Sequence, residues 1–73
     1  MQEVGISTEF IKLQQILKLA GIIGQGSDAR ALIAEGLVYV NGEQALERGK
    51  KIRPNDVVEV KGLGAVKVVS EQE

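Results

Sequence analysis

Apolar residues along this chain keep two different rhythms. Over residues 10–20, Phe10, Leu13, Ile16, Leu17 and Ala20 recur at helical spacing, with Lys12, Gln14, Gln15 and Lys18 on the other side. The pattern predicts a helix entered through Ser7 or Thr8 as cap, with Glu9 in its first turn, and closed by Gly21. Ile11 falls on the polar side, so it either packs under a neighbouring segment or lies exposed. Ile22 and Ile23 turn toward the core, and Gly24-Gln25-Gly26 is a tight connector. A second helix is expected from Ser27 as cap, with Asp28 in its first turn. It buries Ala29, Leu32 and Ile33, leaves Arg30 and Glu35 to solvent, and stops at Gly36.

Beyond residue 36 the rhythm shortens to that of strands. Leu37-Val38-Tyr39-Val40 runs into Asn41-Gly42, a pair suited to the positive φ values of a type I′ hairpin turn, and Glu43-Gln44-Ala45 returns. A basic turn and Ile52 follow, then Pro54-Asn55-Asp56 as a turn and Val57–Val60 as a strand. Lys61–Gly64 turns again before Ala65–Val69. Val4 and Ile6 suggest a short opening strand, and residues 70–73 read as a frayed tail.

Length and composition narrow the function. A chain of 73 residues forms one domain, here residues 1–73, with a small core of Ile, Leu, Val and Ala. With neither cysteine nor histidine, disulfides, thiolate metal sites and the commonest general base are excluded. No paired carboxylates sit among apolar residues and no phosphate-binding lysine loop is present, so an enzyme is not expected, nor a cofactor or metal. No apolar run approaches a membrane span, and the start lacks the basic-then-apolar signature of a signal peptide, so the expectation is a cytoplasmic protein; with no large apolar stripe left unexplained, a monomer is expected.

The net charge of −1 conceals a segregation. Residues 10–53 carry Lys12, Lys18, Arg30, Arg48, Lys50, Lys51 and Arg53 against Asp28, Glu35, Glu43 and Glu47, while the acidic excess sits at both ends. A binding face responds to local potential rather than to the total.

Three segments could therefore meet phosphate. Arg48-Gly49-Lys50-Lys51-Ile52-Arg53 concentrates cations on a turn, although a solvated basic loop would look the same. Gln25, Gly26 and Ser27 offer backbone N–H groups at a helix start with Arg30 one turn inside, although taken alone an ordinary capped helix accounts for them. Lys12, Gln15 and Lys18 lie three apart on the first helix, as any amphipathic helix would place its polar face.

The order of these pieces resembles the S-four RNA-binding domain, and most closely its small stand-alone bacterial members. The resemblance spans about residues 8–60. It rests on Phe10-Ile11-Lys12-Leu13, Leu17-Lys18-Leu19, the glycine joint, Ala29-Arg30, Glu35-Gly36-Leu37-Val38-Tyr39-Val40-Asn41-Gly42 and Pro54-Asn55-Asp56-Val57-Val58. It implies an α+β fold, the alpha-L motif, with two packed helices against a small, bent antiparallel sheet. It also implies binding of structured RNA, ribosomal or transfer RNA, by a non-catalytic module that works on ribosomal particles. Carried over by position, Lys18, Arg30, Arg48, Lys50, Lys51 and Arg53 are expected contacts, to which the segments above add Lys12, Gln25 and Ser27. Gly26 stands where many members have arginine, and Asn55-Asp56 replaces a more usual Gly-Asp. The competing readings are a ribosome-associated protein–protein adaptor that kept the fold without most RNA contacts, and a DNA helix-turn-helix over residues 10–35.

Overall fold

The computed structural model describes residues 1–24 and 29–71. In chain order it contains β1 (Gln2–Ile6), β2 (Ile11–Lys12), α1 (Leu13–Leu19), α2 (Ala29–Ala34), β3 (Val38–Val40), β4 (Glu43–Gln44), β5 (Lys51–Ile52), β6 (Val57–Val60) and β7 (Gly64–Ser70). Two helices and a five-stranded sheet make up the body, with strand the larger share.

Each helix is built from the spacing the sequence announces. Leu13, Ile16 and Leu17 bury one face of α1, and Ala29 and Ile33 bury one face of α2. Both end in the same way. Gly21 and Gly36 adopt φ of 74° and 75°. The N–H groups of Gly21 and Ile22 donate to the carbonyls of Lys18 and Leu17, as those of Gly36 and Leu37 do to Ile33 and Leu32. This double closure needs a left-handed residue, which glycine supplies without steric cost.

The main sheet has the order β1-β7-β6-β3-β4. Valines alternate inward along it: Val38 stands opposite Val60, Val40 opposite Val58, and Val58 opposite Val66. These join Leu13, Ile16, Leu17, Ile33 and Ile52 in one core, against which Val4, Ile11, Ile22, Leu32 and Leu37 also pack. Each such aliphatic side chain contributes on the order of 1.5–3 kcal/mol when fully buried. The hairpin turn has the expected backbone, with Asn41 at φ 52° and Gly42 at 84°.

Three expectations change. The helix predicted to start near Glu9 begins at Leu13, because Ile11 and Lys12 pair antiparallel with Ile52 and Lys51. Thr8 does not cap it: its hydroxyl donates to the Phe10 carbonyl at 2.8 Å, while the Gln15 side chain accepts the Lys12 N–H at 3.2 Å. The sheet is mixed rather than antiparallel, since β1 lies parallel to β7 from Gln2↔Val66 to Ile6↔Ser70. Ordered pairing also continues past the point where fraying was expected. Ser70 belongs to β7, and the Glu71 N–H donates to the Ile6 carbonyl at 2.8 Å. The Ser27 cap and the connector through Gln25 and Gly26 lie outside the described residues, as do the last two residues of the tail.

Candidate nucleic-acid interface

Strands β2 and β5 form a short ribbon apart from the main sheet. Alternation divides its two faces. Ile52, fully buried, and Ile11, half-buried, face the core. Lys12 and Lys51, directly opposite one another in the register, are exposed. The Lys51 ammonium lies 4.9 Å from the centroid of the Phe10 ring, so Phe10 shares this outward side.

The ribbon is stapled to α1 by backbone. The N–H of Leu13 donates to the Lys50 carbonyl at 2.9 Å, and that of Gln14 to the Arg48 carbonyl at 3.0 Å. Two of the N–H groups that a helix start leaves without intrahelical partners are thus satisfied by the basic turn itself. The same bonds fix the backbone of Arg48 and Lys50 while their side chains stay exposed. Arg53 is anchored similarly, its N–H donating to Asp56 Oδ2 at 2.8 Å. A backbone held in this way presents cations at less cost in ordering entropy than a free loop would.

The predicted residues therefore regroup. Lys12, assigned from spacing to the helix face with Lys18, stands instead on the ribbon with Lys51, beside Arg48, Lys50 and Arg53. Lys18 is exposed in the last turn of α1, about 8 Å along the axis from Leu13 at 1.5 Å per residue. Arg30 is exposed on α2. Gln25 and Ser27 lie outside the described residues. Helical spacing alone places Phe10 in the core. Its signal was the off-stripe position of Ile11: if Ile11 faces inward, strand alternation turns Phe10 outward.

Acidic side chains have structural duties close by. Asp56 Oδ1 accepts from Asn41 Nδ2 at 3.0 Å, and Asn41 Oδ1 accepts from the Val57 N–H at 2.9 Å. These bonds tie the hairpin turn to the turn carrying Arg53, so Asn41 and Asp56 act as braces under the site. Among the described residues no group of three or more acidic side chains is arranged to hold a metal ion. Nor is any helix there long and apolar enough to cross a membrane.

Comparison with known proteins agrees with the resemblance drawn from the sequence. The model of the family described as S4 domain matches residues 4–69, more of the chain than the 8–60 marked by the motifs. The chain is 43% identical over 67 residues to the probable ribosome maturation protein RlbA of Bacillus subtilis (strain 168). That alignment covers 92% of this chain and 94% of that protein.

Proposed function

Since the chain belongs to the S4 domain family, we propose that it is a non-catalytic module which grips the phosphate backbone of structured RNA in the cytoplasm, acting on ribosomal particles during their maturation. The observation that carries this reading is the placement of Lys12 directly opposite Lys51 on an exposed ribbon face. Like charges at opposed strand positions destabilise a pair. A fold that keeps two there, with Arg48, Lys50 and Arg53 on anchored backbone alongside, is arranged for a polyanion that neutralises them. The similarity to a probable ribosome maturation protein supports ribosomal RNA over transfer RNA as the target.

Recognition on this reading is by shape and phosphate spacing, as in helical RNA, whose deep major groove hides its base edges. Lys18 and Arg30 would extend the contact from the ribbon over the helices. Counterion release makes the affinity fall steeply with salt, by roughly 0.7–0.9 in log–log slope per phosphate engaged.

The test is titration with a folded ribosomal RNA fragment and a length-matched unstructured RNA at two salt concentrations. Wild type is compared with the triple variant Lys50→Glu, Lys51→Glu, Arg53→Glu. The reading requires preference for the folded RNA, a steep salt slope, and loss of both in the variant. Equal affinity of wild type and variant for a genuinely bound RNA would sink it.

The adaptor reading draws on a different feature. Leu46 is 79% exposed beside an open groove of about 260 Å³ lined by Glu43, Gln44, Ala45, Glu47 and Lys50. An isolated exposed leucine is ordinary on a protein surface, so this feature weighs less than the paired lysines. Partner binding insensitive to salt would favour it.

A further inference from the structure

The outward side of the ribbon holds one group that phosphate binding does not need. Phe10 is half-buried, and its ring lies beneath the Lys51 ammonium at 4.9 Å. It is not part of the core cluster, which Ile52 joins and Ile11 packs against. A ring bordered by Lys51 and Lys12, with Arg53 two residues past Lys51, sits within reach of wherever a phosphate backbone would run.

We propose that Phe10 is the stacking platform for one unpaired base of the bound RNA, a specificity-determining contact that rests on the RNA reading above. The Lys51 ammonium occupies the ring face in the free protein through a cation–π contact, which is weak at an exposed position. A phosphate oxygen is a stronger partner for that ammonium. When backbone phosphates engage Lys51 and Lys12, the lysine leaves the ring, and a base unstacked at a bulge or loop takes its place. Every base has a π face, so the contact selects an unpaired nucleotide rather than a particular sequence. The predicted ligand is an RNA helix interrupted by an unpaired base, not a continuous duplex.

Tyr39, the other aromatic residue of the chain, is a useful contrast. It also has an ammonium over its ring, that of Lys61 at 4.7 Å. Its cross-strand neighbours, however, are Glu59 and Gln44. A carboxylate directly opposite repels a phosphate backbone. Tyr39 lacks the charge complement that Phe10 has.

The experiment uses two RNA hairpins that differ by a single bulged 2-aminopurine, whose fluorescence falls on stacking. Wild type, Phe10→Leu and Phe10→Tyr are titrated with both. Stacking on an aromatic side chain predicts about ten-fold tighter binding of the bulged hairpin by wild type, with quenched fluorescence. Phe10→Leu should erase that preference and the quenching, so that the two hairpins bind alike. Phe10→Tyr should keep both. If wild type binds both hairpins equally, or the bulged base is not quenched, Phe10 is no platform and only the phosphate grip survives. An equal loss on both hairpins in Phe10→Leu would likewise reduce the ring to packing. If neither hairpin binds at low salt, the RNA reading and the platform fall together.

Discussion

Asn41 and Asp56 are joined side chain to side chain at 3.0 Å across fifteen positions of sequence, and both also accept backbone N–H groups of the turn around Asp56. Asn41 accepts the N–H of Val57, and Asp56 accepts that of Arg53. Two turns are locked into one block, and the basic residue Arg53 issues from that block. Both residues lie in the stretches that carry the family resemblance, and both hold the backbone from which Arg53 projects.

The first prediction follows from that bond. Asn41→Ala and Asp56→Ala should each lower stability by about 1–2 kcal/mol, as expected for lost hydrogen bonds to backbone N–H groups. The double variant should lose less than the sum, with a coupling of roughly 0.5–1.5 kcal/mol. Urea unfolding of the four proteins measures this. Strict additivity would mean that the two turns are held independently.

Gly36 makes a second case. It combines φ of 75° with a position where an added Cβ would meet the Gln44 amide. Gly36→Ala should cost about 1–2 kcal/mol from the left-handed backbone, plus the displacement of Gln44. Adding Gln44→Ala should recover only the second part. Full recovery in a thermal melt would show that the backbone conformation carries no strain.

Lys12 should show opposite effects on stability and binding. Removing one of two opposed lysines relieves repulsion, so Lys12→Gln should stabilise the free protein by a few tenths of a kcal/mol. The same change removes a phosphate contact and should weaken RNA binding about 3–10-fold, with a shallower salt slope. Lys18→Gln gives no such gain, because a cation in the last turn of α1 favours the helix dipole. Melting curves and salt titrations of both variants separate the two positions.

The opening strand is the subject of the fourth prediction. Ile6 is 6% exposed and pairs with Ser70. Ile6→Ala should cost about 2–4 kcal/mol, as for other large-to-small changes in a packed core. A loss under about 0.5 kcal/mol in denaturant unfolding would mean that β1 is a loose appendage.

Sequence legibility followed range. Gly21, Gly36 and Asn41-Gly42 were readable because their backbone demands are local, and the buried faces of both helices because their spacing is local too. The start of α1 was not. Phe10 stands three before Leu13 and fits a helical stripe, but the pairing of Ile11 with Ile52 wins, and nothing near residue 11 announces that partner. The parallel seat of β1 beside β7 was hidden for the same reason. In the candidate site, the run Arg48–Arg53 was visible as composition, whereas the move of Lys12 from the helix face to the ribbon depended on a cross-strand register. Phe10 was misassigned with it.

The parallel edge also bears on how the molecule is made. Gln2 faces Val66 and Ile6 faces Ser70, so β1 must wait for β7 to be synthesised. At roughly 5–20 residues per second, the interval is about 3–13 s. Through that time Val4 and Ile6 have no partner strand in β7. Until β7 arrives, β1 has no strand to pair with and is open to pairing with a neighbouring chain.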